Sequence, residues 1–193
     1  MTPRPLLLGL LLIGKDLPSP LDWTPEEDAR FRGMGAPIRA AQYKAGRWLL
    51  RRLCSEYAGL PMDAIRLNAQ GAPVAHGPAG MEIPHLSLSH SGDWVAATAC
   101  SGPAGVDVER LGRPRDWRGL AEHLKLGVAG DEATVLRAWT ETEARFKAGD
   151  AQGLALWRFE SADYLGCLAA PLGSAPELRF FGGAAPVPLV AGR

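Results

Sequence analysis

An apolar run from Leu6 to Ile13 opens the sequence, directly behind Arg4. It constrains the fold more than any other feature. A helix crossing a bilayer needs about 20 apolar residues, and this run is far shorter. A secretory leader would close on small residues at a cleavage point. This run passes instead into Gly14-Lys15-Asp16. It reads as a buried opening strand, with no membrane association.

Composition narrows the rest. A chain of 193 residues is one domain or two small ones packed tightly together. The hydrophobic share of 47% is enough for a sizeable core, and 23 glycines with 16 prolines imply many turns. Lys and Arg total 21 and Asp and Glu total 21. That balance lacks the electrostatic footprint of a general nucleic-acid binder, yet leaves room for a local basic pocket that takes a phosphorylated small molecule. Cys54, Cys100 and Cys167 are far apart, with neither metal-ligand spacing nor an even count. They read as buried thiols in a reducing cytoplasm.

Along the chain, Asp22-Trp23-Thr24-Pro25-Glu26-Glu27 carries a helix start: Thr24 as cap, Pro25 in the first position, Glu27 completing a capping box. A second helix is expected from Pro37 to about Tyr57, stopped by Gly59. Ile38, Ala41, Ala45, Trp48 and Leu49 recur on its core face, and Lys44, Arg47 and Arg51 share another. The Gly- and Pro-rich stretch 66–80 reads as strand ends and turns. Strands follow at Leu86–His90, Val95–Cys100 and Val106–Glu109, then helices near 116–127 and over Glu132–Lys147, then a mostly β tail after Gly153. This order predicts an α+β fold whose comparable halves, 1–100 and 101–193, meet near residue 101.

Chemistry concentrates in three places. In Gly105-Val106-Asp107-Val108-Glu109, alternation puts the valines on one strand face and the acids on the other. Carboxylates about 7 Å apart along a strand repel each other unless a cation lies between them. Magnesium, which favours oxygen ligands and substrate phosphates, suits that position. Alone, the pattern is equally that of an ordinary polar strand face. On the helix Glu132–Lys147, Val135, Trp139, Thr142 and Phe146 form a stripe that can anchor the core. The adjacent stripe, Leu136, Thr140, Glu143 and Lys147, presents Glu143 and Lys147 one turn apart. Alone, such a pair is a modest surface contact. In Leu86-Ser87-Leu88-Ser89-His90-Ser91 the hydroxyls alternate with apolar residues, so one face is expected to be wet. His90 can donate to a phosphate there, or serve structure only.

Taken in order, Ser89-His90-Ser91, then Gly105-Val106-Asp107-Val108-Glu109, then Trp139-Thr140-x-x-Glu143-Ala144-x-x-Lys147 resembles the 4′-phosphopantetheinyl transferases, in their longer surfactin-synthetase type. Gly46-Arg47-x-Leu49-Leu50-Arg51 and Gly71-x-Pro73 fit as well, and the resemblance spans roughly residues 37–155. It implies two similar α/β halves related by a pseudo-twofold axis, with coenzyme A in the cleft between them, and activity as a monomer. It implies that Asp107, Glu109 and Glu143 hold magnesium, which would neutralise charge on the pyrophosphate. Glu143, or a water it holds, would take the proton of the acceptor serine. Lys147 would contact the pyrophosphate, and His90 the 3′-phosphate with Ser89 beside it. Arg47 would be a further phosphate contact, with Lys44 or Arg39 as alternatives.

The implied reaction moves the phosphopantetheine arm to a serine of an acyl or peptidyl carrier protein of fatty-acid, polyketide or peptide synthesis, and releases 3′,5′-ADP. Thr142 and Ala72 stand where the family usually has lysines. They favour an alternative, a degenerate member that binds coenzyme A or a carrier without transfer. An unrelated magnesium-dependent phosphohydrolase would use the same acids without a protein acceptor. Arg110, Arg113, Arg115 and Arg118, in the 110–130 segment, form either a docking surface for an acidic carrier or an ordinary solvated loop.

Overall fold

The computed structural model describes residues 5–14, 23–127, 131–173, 175–182 and 189–192. Arg4, Lys15, Asp16 and Asp22, all used in reading the sequence, lie outside the described residues. The elements run β1 (Leu6–Leu12), α1 (Pro25–Arg32), α2 (Pro37–Ala58), β2 (Arg66–Leu67), β3 (Ala75–His76), β4 (His85–Ser91), β5 (Trp94–Cys100) and β6 (Gly105–Arg110). They continue through α3 (Trp117–His123), α4 (Glu132–Lys147), β7 (Leu154–Glu160), β8 (Tyr164–Pro171), β9 (Pro176–Phe181) and β10 (Leu189–Gly192). The mixture of helices and sheets is the expected α+β class.

The opening run is β1, and burial on both faces explains why apolar residues, rather than an apolar–polar alternation, fill it. Leu6, Leu8 and Leu10 pack into a core with Val106, Val108, Phe159 and Leu168. Leu7 and Leu11 pack the other way, onto Leu49, Leu50 and Leu53 of α2. Gly9 lets that helix close, because a Cβ there would sit 2.9 Å from Leu49 Cδ1. Two sheets thus lie face to face, in the orders β4-β5-β1-β9 and β10-β7-β8-β6. Helix α2 covers the first, and α4 packs on β6 and β8 of the second. Strand β9 pairs in parallel with β1, so the late chain returns to complete the first sheet.

Local signals landed closely. Thr24 and Glu27 form the full capping box, and Gly59 ends α2 in the left-handed conformation at φ 67°. Asp116 caps α3, which is shorter than the expected 116–127 because Lys125 already turns left-handed at φ 56°.

Three expected faces turn out otherwise. Ile38 is 43% exposed, and its neighbours Pro37 and Arg39 in the first turn of α2 are exposed as well. The core face of α4 is Val135, Leu136, Thr140 and Ala144 rather than the stripe through Thr142 and Phe146. Close approach decides that: a Cβ on Gly105 would lie 2.0 Å from the Ala144 carbonyl oxygen, so β6 and α4 meet backbone to backbone. Gly105→Ala is therefore expected to destabilise the fold by about 1–3 kcal/mol or more, measured by urea unfolding at unchanged m-value. The serine face of β4, expected wet, is buried: Ser87, Ser89 and Ser91 are at most 8% exposed. These hydroxyls meet β6 across the junction of the two sheets. Ser87 Oγ accepts from Val106 N at 3.1 Å, and Ser89 Oγ accepts from Val108 N at 3.3 Å.

Candidate active site

The serine seam places the acids of β6. Asp107 is 5% exposed, and its Oδ1 accepts from Ser89 Oγ at 2.7 Å and from Lys147 Nζ at 2.6 Å. Lys147 reaches it because the tight β6–α4 contact delivers the last turn of α4 over the strand; Nζ also donates to Val106 O at 3.3 Å. Burial raises the Asp107 carboxyl above its ordinary range, outweighing Lys147 and Ser89, which pull it down. Asp107 Oδ2 is buried, with no hydrogen-bond partner among the described residues. Glu109 Oε2 accepts from Ser91 Oγ at 2.6 Å, while Arg115 clamps both carboxylate oxygens. Glu143 sits half-buried one turn before Lys147 on α4. Among the described residues it takes no hydrogen bond or ion pair.

These residues fit a divalent cation in donor chemistry, since all three acids supply hard oxygens. The open Asp107 Oδ2 is the atom that most calls for one. As placed, however, no three His, Cys, Asp or Glu side chains among the described residues converge tightly enough to hold an ion. Lys147 and Arg115 neutralise the two strand acids instead.

His90 points the opposite way from Ser89, as successive residues on a strand must. It lines a cavity of about 130 Å³ with Arg30, Arg39, Gln42, Tyr43 and Arg47. Gly71 and Pro73 complete the wall, so the Gly-x-Pro turn reaches this cavity, whereas Lys44 does not line it. Burial holds the His90 imidazole below its ordinary value, assisted by the positive charge of Arg39 and then of Lys147. Ser89 and His90 are neighbours on β4, so the acid cluster and the cavity lie on opposite faces of the same strand end.

Arg47 faces this cavity with its guanidinium already engaged: Nε donates to Glu27 Oε1 at 2.6 Å and Nη1 to Asn68 O at 2.8 Å. Arg39 is exposed and has no ion pair among the described residues, so it is the freer cation. Tyr43 Oη is buried without a hydrogen-bond partner among the described residues, and burial raises its phenol. Nothing in the sequence marks Tyr43 and Gln42 apart from their helical neighbours. The arginines of the 110–118 stretch are mostly neutralised, Arg110 by Asp93, Arg115 by Glu109 and Arg118 by Glu122; Arg113 only leans on Ser91 Oγ at 3.4 Å. Residues 128–130 of that segment lie outside the described residues.

No protein-family profile matches the chain. A curated protein does: 4′-phosphopantetheinyl transferase psf-1 of Bacillus pumilus is 36% identical over 84 residues. Over that stretch the chain is similar to a 4′-phosphopantetheinyl transferase. The match takes in 42% of this chain and 34% of the Bacillus transferase, so the chain spans about a third of that protein's length. Among the described residues no helix is long and apolar enough to cross a membrane.

Proposed function

We propose that this protein transfers the 4′-phosphopantetheine arm of coenzyme A to a serine hydroxyl of an acyl or peptidyl carrier protein, as a member of the longer, surfactin-synthetase-activating type. The observation that carries the reading is the Asp107–Lys147 pair, with Glu109 on the same strand face, across β4 from a cationic cavity lined by His90. Acids suit a metal on a pyrophosphate, and the cavity suits the 3′-phosphate end of coenzyme A. We place coenzyme A between the halves 1–100 and 101–193, related by a pseudo-twofold axis, in a monomer working in the cytoplasm.

In this reading the serine Oγ attacks the phosphorus bonded to pantetheine. The bond from that phosphorus to the bridging oxygen breaks, and 3′,5′-ADP leaves. Glu143, half-buried and unpaired, takes the serine proton directly or through a water. Lys147 puts a point charge where the leaving group becomes negative. His90, Arg39 and Arg47 hold the 3′-phosphate, and Ser89 orients Asp107. Asp107, Glu109 and Glu143 would hold magnesium, whose chemistry when bound is to neutralise the pyrophosphate.

The test is the intact mass of apo carrier proteins from fatty-acid, polyketide and peptide pathways after incubation with this protein, coenzyme A and magnesium. A gain of one phosphopantetheine with matching 3′,5′-ADP release is the expected outcome. Coenzyme A bound in a calorimeter without any mass gain selects the alternative, a binder that does not transfer, which Thr142 and Ala72 favour. Released 3′,5′-ADP with no carrier gain selects a hydrolase.

A further inference from the structure

Helix α1 is attached to the body in an unusual way. Its one buried residue is an acid, Glu27, which is fully buried. Glu27 Oε1 accepts from Arg47 Nε at 2.6 Å, and Oε2 accepts from Arg51 Nη2 at 2.6 Å and from Thr24 N at 2.9 Å. Arg51 is 1% exposed and otherwise reaches Ile65 O at 3.3 Å. Arg47 extends the chain of contacts to Asn68 O at 2.8 Å. Asn68 in turn braces the turn after it, donating to Gln70 O and Ala72 O and accepting from Val74 N. Arg30 of α1 closes the loop by donating to Ala69 O at 2.6 Å.

Glu27, Arg47 and Asn68 therefore join α1, α2 and the 68–74 turn. Those are the elements that contribute Arg30, Arg47, Ala69, Gly71 and Pro73 to the cavity beside His90. A buried ion cluster is a poor device for stability alone, because apolar replacements of similar volume are often neutral or stabilising. What an ion cluster supplies and leucine cannot is the orientation of a guanidinium. Arg47 Nη2 also lies 2.6 Å from Glu27 Oε1, so the carboxylate fixes the guanidinium of a side chain that lines the cavity.

We propose that Glu27 is a positioning residue: acting through Arg47, it holds the cationic wall of the His90 cavity in the geometry that receives a phosphate. The inference rests on the reading of that cavity given under Proposed function. Glu27 itself touches no ligand.

The test uses 3′,5′-ADP as probe in calorimetry, together with kcat and KM for coenzyme A, on the whole protein. Glu27→Gln is expected to weaken 3′,5′-ADP binding and raise KM about ten- to a hundredfold, the range seen when the partner behind a metal-ligating residue is removed. The kcat at saturation should change far less, and Glu27→Asp should recover part of the affinity. The double variant Glu27→Leu with Arg51→Met removes the carboxylate and its fully buried partner and refills their volume, leaving Arg47 on Asn68 O, and should regain part of the thermal stability that Glu27→Gln loses without regaining affinity. Affinity that returns with stability in the double variant, or a folded Glu27→Gln that binds as tightly as the unsubstituted protein, overturns the positioning role. If Glu27→Gln does not fold, the double variant and Glu27→Asp decide the matter. Failure of the unsubstituted protein to bind 3′,5′-ADP is a different result: it removes the reading of the cavity itself, and this inference with it.

Discussion

Asp107→Asn is expected to slow carrier modification by at least about a hundred- to a thousandfold, the loss typical when a preorganised group that meets developing charge is removed. Asparagine keeps nearly the same volume and can still accept from Ser89 Oγ, so the serine seam between the sheets survives. What disappears is the charge that pairs with Lys147 at 2.6 Å and the oxygen anion offered at Oδ2. Asp107→Ala should be as slow, and less stable, because it leaves Ser89 Oγ without its acceptor and Lys147 without its counterion. Glu143→Ala separates the proton-transfer role from the charge role: it removes an unpaired side chain from the α4 surface and should lower the rate at nearly unchanged stability. Carrier mass gain against time measures all three. An Asp107→Asn protein working within a few-fold of the unsubstituted rate would remove this carboxylate from the machinery.

Arg51→Met is expected to have the largest effect on stability, about 3–5 kcal/mol at neutral pH, because it strips one partner from a fully buried carboxylate. The pH dependence gives the mechanism. Burial alone would raise Glu27, but the Arg51 hydrogen bond, the Thr24 N–H and the charge of Arg47 overcome it and hold the carboxyl below its ordinary value of 4.5. A carboxyl lowered by folding adds stability that is complete above its unfolded value. That stability fades as pH falls below about 4.5 toward the folded value. Without Arg51 the folded value moves up, so acid removes less. The gap between the two proteins should therefore be widest near pH 7 and narrow below pH 4.5. Denaturant melts across that range measure it; a constant gap would mean that Arg51 acts through packing of its side chain rather than through Glu27.

Sequence by itself determined the elements and the chemistry they carry. Leu6 to Leu12 had to be a buried strand, Thr24 and Glu27 had to open a helix, and Gly59 had to close one, because hydrophobic runs, caps and left-handed glycines act over a few residues. Alternation put Asp107 and Glu109 on one strand face for the same local reason. Tertiary structure alone decided which face meets what. The serines of β4 are polar and were expected in water, but two sheet edges meet there and hydroxyls serve the unpaired amides of β6. Helix α4 has two plausible core stripes, and only the absence of a Cβ at Gly105 lets Ala144 close onto β6 and bring Lys147 to Asp107. Glu27 is legible as a cap, yet nothing within its own helix reveals that the same carboxylate holds Arg47 and Arg51, 20 and 24 residues further on. Caps, turns and periodicity are short-range and are written into neighbouring residues. Partnerships across the fold depend on how closely two backbones can approach, which only the packed molecule sets.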